Sequence, residues 1–200
     1  MKKILFLLPI LVMSHIVLAQ LPLKPEDISP LLIGETMPKA TLTDLNNTTI
    51  KTESLFREKK TILIFYRGGW CPYCNLHLSE VGRIENDLLA LGYQIVAVSP
   101  DAVRNLVSSK EKLALSYTLL SDTRGDLIKS AGLAFKAPAY CEKELRENQG
   151  KDAELFLPVP SLFILNEKSE ILFEYINPNF KQRISGYLLL AAARVCALNK

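Results

Sequence analysis

The sequence predicts an α/β sandwich with a mixed central β-sheet and helices on both of its faces. Residues 61–66 form an uninterrupted run with many β-branched side chains, the pattern of a fully buried central strand, and residues 93–98 are predicted to be a second central strand. A helical pattern follows each run, and residues 161–165 and 171–175 are two further strand-like runs joined by a polar turn. Strands that alternate with helices and end in a hairpin predict three layers around one mixed sheet.

The other predicted elements fill the chain between these strands. Prolines make residues 20–33 an extended lead-in, and residues 34–200 are predicted to form one domain that begins with a small hairpin. The remaining predictions are helices over residues 72–91, 102–115, 122–131 and 184–197 and a short strand over residues 117–120. Residues 133–158 form an insertion with a polar helix at 141–149. This insertion has two possible interpretations: it forms a lid or a surface for a partner, or it is a solvent-exposed segment without such a role.

The first 19 residues have the pattern of a signal peptide. Lys2 and Lys3 precede an apolar core, and Val17-Leu18-Ala19 offers small residues at a signal-peptidase site. The alternative is an uncleaved membrane anchor, but this stretch is shorter than the ~20 apolar residues that span a bilayer. We therefore predict an exported protein, periplasmic or secreted, that is cleaved near Ala19 and has no stable membrane anchor.

The charge balance gives no indication of a nucleic acid or a membrane surface as a partner. The chain has 24 basic and 21 acidic residues and a net charge of +3, without a basic run interleaved with aromatic residues. Only two histidines are present, so a His-rich metal centre is not expected. No cofactor is predicted.

The feature with the clearest chemistry is Cys71-Pro72-Tyr73-Cys74, which follows a buried strand and the Gly68-Gly69 turn. Pro72 is favoured at the first helical position, so Cys71 is predicted at the helix N-cap, where unpaired N–H groups and the helix dipole stabilise a thiolate. Cys74 is about 5–6 Å away on the same helix face, within the ~4.4–6.8 Å that a disulfide spans. The two cysteines are therefore predicted to cycle between dithiol and disulfide.

Cys141 and Cys196 complete the four cysteines of the chain. Export would bring them into an oxidising compartment. Three outcomes remain open: a second disulfide between Cys141 and Cys196, two free thiols with Cys196 buried in the last helix, or resolution of an oxidised Cys71 by one of them.

Several separated motifs resemble one protein family. Residues 65–75, Phe-Tyr-Arg-Gly-Gly-Trp-Cys-Pro-Tyr-Cys-Asn, resemble the peroxiredoxin-like branch of the alkyl hydroperoxide reductase/thiol-specific antioxidant (AhpC/TSA) family. Residues 34–38, 157–164 and 175–179, followed by Arg183, are similar to that family as well. With the motif, the order of elements is that of the thioredoxin fold.

The resemblance implies roles for three residues. Cys71 matches the attacking cysteine, Cys74 matches the resolving cysteine, and Pro160 matches the cis-proline that faces the cysteines in thioredoxin-fold proteins. The alternative for Pro160 is a trans proline that opens an edge strand. Trp70 either shields the pair with a flat contact surface or is a hydrophobic cap on the helix start.

The chain also departs from the patterns of its relatives. Gly68 stands where peroxide-reducing peroxiredoxins carry the Thr that orients the peroxide, and Pro160 stands where they carry an Arg. Thioredoxins have a buried Asp six residues before the first cysteine, where this chain has Phe65. Arg67 either assists the thiolate or is an exposed side chain.

From these residues we predict a thiol oxidoreductase that works by thiol–disulfide exchange with protein disulfides or small thiols and a reducing or oxidising thiol partner. The alternative is peroxiredoxin-type reduction of hydroperoxides through a Cys71 sulfenic acid. A non-enzymatic alternative is Cu(I) handling by Cys71, Cys74 and His77. His77 lies about 120° from Cys71 around the helix, so a solvated His77 is expected instead.

Overall fold

The computed structural model describes residues 20–150 and 154–198. Its strands are β1 (Thr41–Thr43), β2 (Thr49–Lys51), β3 (Lys60–Phe65), β4 (Tyr93–Ser99), β5 (Thr118–Ser121), β6 (Ala134–Lys136), β7 (Phe156–Pro158), β8 (Ser161–Leu165) and β9 (Ile171–Ile176). Its α-helices are α1 (Thr52–Glu58), α2 (Pro72–Arg83), α3 (Glu85–Ala90), α4 (Val103–Leu113), α5 (Asp126–Ser130), α6 (Glu142–Gln149) and α7 (Gly186–Leu198).

A mixed sheet organises the fold, as predicted. Its strand order is β2-β1-β5-β4-β3-β8-β9. The pairs β3–β4 and β4–β5 are parallel, and the other pairs of this sheet are antiparallel. The predicted hairpin of the N-terminal part is β1–β2, and the predicted C-terminal hairpin is β8–β9.

Alternate side chains of β3 face two different hydrophobic cores. Ile62 and Ile64 pack with the layer that contains α2, α3, α4 and α7, whereas Leu63 and Phe65 pack with the layer that contains α1 and α5. This alternation follows from the two-residue period of a strand, and a strand covered on both faces must be apolar at every position. The three-layer prediction is therefore confirmed.

The helix predicted over residues 72–91 is interrupted. Ile84 leaves the helical conformation (φ −105°, ψ 9°), and its N–H donates to the Val81 carbonyl three residues back at 3.1 Å. Gly82 lowers the helix propensity immediately before this turn, and Ile84 packs near Gly186 at the start of α7. The helix α1 was not predicted, and it contributes the buried Phe56 to the second core.

The insertion packs onto the rest of the domain and has a small core of its own, so it is not a solvent-exposed segment. Strands β6 and β7 form a separate two-stranded antiparallel sheet, and α6 matches the polar helix predicted there. Its small core packs against Trp70 and consists of Phe135, Cys141, Leu145, Leu157 and Val159. The lead-in also packs on the domain, because the Lys136 N–H donates to the Pro22 carbonyl at 2.8 Å.

The prediction of a cis bond before Pro160 is wrong. No peptide bond between described residues is cis, so Val159–Pro160 is trans, and Pro160 immediately precedes β8, which lies between β3 and β9 rather than at an edge of the sheet. The two isomers of an X–Pro bond differ by only ~0.5–1 kcal/mol, so the surrounding structure rather than the local sequence selects one. Residues 1–19, with the predicted signal peptide, lie outside the described residues. None of the described helices is both long and apolar enough to cross a membrane.

Candidate active site

The cysteine pair lies where the sequence predicted it. The chain leaves β3 at Phe65, turns through Gly68 and Gly69, and enters α2 with Cys71 at the N-cap and Pro72 at the first helical position. The N–H groups of Cys74 and Asn75 both donate to the Cys71 carbonyl at 3.1 Å. Both cysteines are free thiols and are buried.

The two thiols differ sharply in acidity. The pKa of Cys71 is lowered to about 6, first by a hydrogen bond from the Cys74 thiol and also by the Cys74 N–H and two arginines, against the effect of burial. Burial raises the pKa of Cys74 well above its usual value, and its hydrogen bond to Cys71 raises it further. Cys71 is therefore the thiolate at neutral pH, and Cys74 keeps its proton.

Two arginines supply positive charge to the pair. The Arg183 Nη2 group donates to Cys74 Sγ at 3.3 Å, and the charge of Arg183 lowers the pKa of both thiols. Arg67 is buried, with 4% of its surface exposed, and its guanidinium centre lies 4.9 Å from the Trp70 ring and 4.4 Å from the Phe180 ring. The alternative of an exposed Arg67 is wrong. From the sequence, Arg183 had no predicted role and was named only as part of the resemblance to the AhpC/TSA family.

A buried carboxylate stands beside the Gly68-Gly69 turn. Asp101 follows β4, is 0% exposed, and accepts a hydrogen bond from the Gly69 N–H at 2.7 Å through Oδ2. Burial raises the pKa of Asp101 to about 7, and the charge of Cys71 adds to the increase. Asp101 lies just before α4, but its side chain makes no cap bond to this helix. The carboxyl ends of neighbouring parallel strands meet at one edge of the sheet. The position of Asp101 directly after a predicted central strand could therefore have identified it as a residue of the site.

Trp70 contacts Arg67, and Pro160 lines a cavity together with Arg67. Trp70 is half-buried and packs against both the main core and the core of the insertion, so it is a packed element of the site. The cavity, of about 350 Å³, is lined by Arg67, Pro160, Phe180 and residues of the lead-in and the insertion. The cavity therefore places apolar and aromatic surface next to a positive charge.

His77 is not the solvated residue that was expected. It is 5% exposed, and burial, followed by the charge of Arg183, lowers its pKa to about 4. Across residues 20–150 and 154–198, no three His, Cys, Asp or Glu side chains are grouped so that they could hold a metal ion.

Cys141 and Cys196 are free thiols in different cores. Cys141 Sγ accepts a hydrogen bond from Arg67 Nη2 at 3.2 Å within the core of the insertion. Cys196 lies on α7 in the core beneath α2. Burial raises the pKa of both thiols, and the charge of Arg67 opposes this effect at Cys141. Of these two cysteines, Cys141 is the one that shares an arginine with the redox pair.

The fold therefore carries a buried pair of adjacent thiols that differ in acidity. The model of the AhpC/TSA family matches residues 33–173, and the chain therefore belongs to the AhpC/TSA family, as its motifs indicated. Solved structures of peroxiredoxins have the same thioredoxin-like fold. Peroxidoxin BcpB from Mycobacterium tuberculosis has a TM-score of 0.66 at 18% identity, with 82% of this chain and 96% of that chain covered. Reduced Prx3 from Vibrio vulnificus, in complex with H₂O₂, has a TM-score of 0.70 at 20% identity, with 82% and 99% covered.

Curated relatives extend the similarity to sequence. The chain is 27% identical over 117 residues to peroxiredoxin bcp1 of Schizosaccharomyces pombe, which covers 58% of this chain and 60% of that protein. It is 36% identical over 95 residues to a thioredoxin-like protein of Haemophilus influenzae, which covers 48% of each. The chain thus spans about half to three fifths of the length of these relatives.

Proposed function

We propose that this protein is a thiol-dependent peroxidase in which Cys71 reduces a hydroperoxide and Cys74 resolves the oxidised Cys71. The observation that carries the proposal is the unequal acidity of two adjacent thiols. Cys71, with a pKa of about 6, is a thiolate at neutral pH, whereas Cys74 stays protonated beside it. Peroxiredoxins among its relatives support the same reaction class.

Burial of Cys71 favours a small oxidant over a large one. Only 1% of Cys71 is exposed. A hydroperoxide is small enough to reach a recessed sulfur, whereas the disulfide of a folded partner must align with the attacking thiolate. Gly68 has no hydroxyl to orient a peroxide, so Arg183 and Arg67 are the groups proposed to stabilise its developing negative charge.

The proposed cycle has three balanced steps. The Cys71 thiolate attacks one peroxide oxygen, the O–O bond breaks, and the leaving alkoxide takes a proton to give Cys71 sulfenic acid and an alcohol. The Cys74 thiol then displaces hydroxide from Cys71, which forms the disulfide and releases water. A dithiol partner finally reduces Cys71–Cys74 by thiol–disulfide exchange and is itself oxidised.

The test follows the fluorescence of Trp70, the only tryptophan of the chain, after reduced protein is mixed with H₂O₂ in a stopped-flow instrument. Wild type is expected to oxidise at least ~100-fold faster than a free thiolate, because positioned charge stabilises the transition state. Cys74→Ser should retain this first phase and accumulate a sulfenic acid that dimedone labels, whereas Cys71→Ser should lose the phase. Oxidation of wild type at the free-thiol rate would contradict peroxidase function.

Disulfide exchange with a protein substrate is the second candidate function. It is favoured by Gly68 and Pro160, which replace the Thr and Arg of peroxide-reducing relatives, and by the glutaredoxin-like Pro72-Tyr73 dipeptide. Under this proposal, reduced protein would reduce a model protein disulfide such as insulin rapidly while it reacts with H₂O₂ at the free-thiol rate. Slow insulin reduction combined with fast peroxide oxidation would exclude it.

Export is proposed from the pattern of residues 1–19 alone. Sequencing of the mature N-terminus after expression and cell fractionation tests it. Gln20 at the N-terminus of protein from the exported fraction is expected, and an intact Met1 in the cytosolic fraction would contradict export.

A further inference from the structure

We propose that the cavity lined by Arg67, Pro160 and Phe180 binds a small organic acid. The carboxylate of this acid pairs with the Arg67 guanidinium, and its compact apolar body, such as one aromatic ring, fills the apolar part of the cavity. The proposed peroxidase cycle does not require this ligand. The inference depends on the charge of Arg67 and on the cavity walls, so it stands or fails independently of the reaction of Cys71.

Arg67 carries a buried charge without a carboxylate partner. Only 4% of its surface is exposed, and across residues 20–150 and 154–198 no acidic side chain forms an ion pair with it. Charged side chains are almost never fully buried unless they are paired, because the transfer of a charge out of water is costly. An anion that enters the cavity would therefore meet a charge that the protein itself does not neutralise with a carboxylate.

Most of the hydrogen-bond donors of this guanidinium are unused. A guanidinium presents five N–H donors in one plane. Nη2 donates to Cys141 Sγ at 3.2 Å, Nε is buried without a partner, and no described residue accepts a hydrogen bond from Nη1. The guanidinium centre lies over the Trp70 and Phe180 rings, but an aromatic face accepts no hydrogen bond in the guanidinium plane. Nη1 is therefore the donor that we assign to the ligand.

The cavity supplies the apolar part of the site. Its volume is about 350 Å³, at the small end of the ~300–1,000 Å³ of ligand pockets. Prolines and aromatic side chains form most of its lining, among them Phe135, Pro138 and Tyr140. Tyr140 is 71% exposed, so the cavity is open to solvent on that side. Apolar walls around one positive charge favour an acid that carries a ring over an inorganic anion, because a ring removes these walls from water.

Glu26 is the other charged residue that lines the cavity. It lies on the lead-in and is exposed, and it forms no ion pair with Arg67. Water around an exposed carboxylate screens its charge, so its repulsion of a bound acid is weaker than the attraction of the buried Arg67. Glu26→Gln is expected to bind the acid at least as tightly as wild type does.

The charge of Arg67 links this site to the redox pair. In the reduced protein this charge lowers the pKa of Cys71, so the guanidinium stabilises the Cys71 thiolate. In the Cys71–Cys74 disulfide neither sulfur is charged. A carboxylate in the cavity therefore competes with the thiolate for one positive charge, and it should bind more tightly to the oxidised protein. By linkage, the bound acid raises the pKa of Cys71.

Other charged and titratable groups act on the same thiol. Arg183 lowers the pKa of Cys71, the Cys74 thiol donates a hydrogen bond to it, and its own charge acts on Asp101. None of these three residues lines the cavity. An anionic and a neutral ligand of the same shape therefore differ in how they interact with the charges of the cavity itself.

The test compares phenylacetate with phenylacetamide, a neutral molecule of nearly the same shape. The fluorescence of Trp70, the only tryptophan, reports binding because Arg67 lies 4.9 Å from its ring. At pH 8, the disulfide form should bind phenylacetate at least ~10-fold more tightly than phenylacetamide. Protein kept reduced with dithiothreitol, which is uncharged, should bind phenylacetate about three- to tenfold more weakly than the disulfide form, and phenylacetamide equally well.

Three variants make the inference specific. Arg67→Met should lose both the preference for the acid and its dependence on redox state. Arg57→Met is the matched control, because Arg57 is an exposed arginine on α1, and it should retain both. Tyr140→Ala alters a cavity wall without changing charge, and its exposure makes a folding defect an unlikely cause of any change. It should weaken the binding of both ligands to the same extent.

Two results would overturn the inference. The first requires no variant: oxidised wild type binds phenylacetate and phenylacetamide equally, or binds neither up to ~10 mM. The second is a folded Arg67→Met protein that still prefers phenylacetate, which would place the carboxylate elsewhere. Slow oxidation of Cys71 by H₂O₂ would contradict the peroxidase proposal alone, because the ligand titrations are made at fixed redox states.

Discussion

Arg183 donates a hydrogen bond from Nη2 to the sulfur of Cys74 at 3.3 Å, across 109 residues of chain. Its other terminal nitrogen donates to the carbonyls of Phe180 at 2.7 Å and Gln182 at 2.6 Å, so the guanidinium is held by its own loop. The segment between β9 and α7 therefore places a fixed positive charge on the redox pair. This charge lowers the pKa of Cys71 and partly opposes the effect of burial at Cys74.

Removal of that charge is expected to slow oxidation most at low pH. In Arg183→Met the pKa of Cys71 should rise, so that at pH 6 the thiolate fraction and the rate of oxidation by H₂O₂ fall about three- to tenfold. At pH 9 the fall should be smaller, because the thiol is ionised in both proteins. Thiolate absorbance at 240 nm gives the pKa, and stopped-flow fluorescence gives the rate.

The matched control for Arg183 is Arg57→Met. Arg57 is an exposed arginine that pairs with Glu53 on α1, within the layer on the other face of the sheet. It should leave the pKa of Cys71 unchanged. An unchanged pKa in Arg183→Met would show that the contact with Cys74 has no electrostatic effect on the pair.

Gly68 is expected to tolerate no side chain. Its φ is +146°, and a Cβ there would clash with the Trp70 indole and stand 2.6 Å from Asp101 Oδ1. Gly68→Ala should lower the free energy of unfolding by about 2–3 kcal/mol, from backbone strain and the clash combined. Urea unfolding measures this, with Gly92→Ala as control. Gly92 also has a positive φ, of +86°, but a Cβ there meets open space, so about 1 kcal/mol is expected. Equal losses of unfolding free energy in Gly68→Ala and Gly92→Ala would mean that the neighbours of residue 68 move to relieve the clash.

Local patterns in the sequence were sufficient to predict the strands and the reactive loop. The alternation of Ile62 and Ile64 against Leu63 and Phe65 is a property of β3 itself, and a buried strand must show it. Pro72 likewise marks the first position of α2 whatever packs against it, so the position of Cys71 at the N-cap was predictable.

The groups that surround the cysteines were not predictable in the same way. Arg183 and Asp101 reach the site from elements distant in sequence, and their contacts depend on how those elements pack. His77 lies on a polar stretch of helix, but α2 turns it into the core. The trans isomer of Pro160 depends on an energy difference of ~1 kcal/mol that local sequence does not reveal.

Cys141 and Cys196 are expected to remain thiols when the redox pair is oxidised. They lie in different hydrophobic cores, and Cys141 is held by Arg67. After oxidation by two equivalents of H₂O₂, which is enough oxidant to form two disulfides, denaturation without reductant and alkylation with N-ethylmaleimide should add two labels by intact mass. The Cys141→Ser, Cys196→Ser protein should add none. Absence of label on the oxidised wild type would instead show that these two cysteines form a disulfide.

Asp101 is expected to make stability depend on pH in a defined direction. Burial raises its pKa from 3.8 to about 7, so the folded state holds a proton that the unfolded state has lost between these values. Its contribution to stability is therefore fully present below pH 3.8 and is lost as the pH rises through 7. Asp101→Asn has no carboxyl group at this position, so its stability does not fall in this way as the pH rises. Relative to wild type, it should gain about 3–4 kcal/mol of unfolding free energy between pH 4 and pH 8.

Urea unfolding of the reduced proteins, in the presence of a phosphine reductant, measures this difference at both pH values. The control Asp87→Asn removes an exposed carboxylate and should change stability little at either pH. A difference between Asp101→Asn and wild type that is the same at pH 4 and pH 8 would show that the Asp101 carboxyl titrates normally in the folded protein. Because burial disfavours the ionised carboxylate, its folded-state pKa and its ability to take up a proton at neutral pH have the same physical origin.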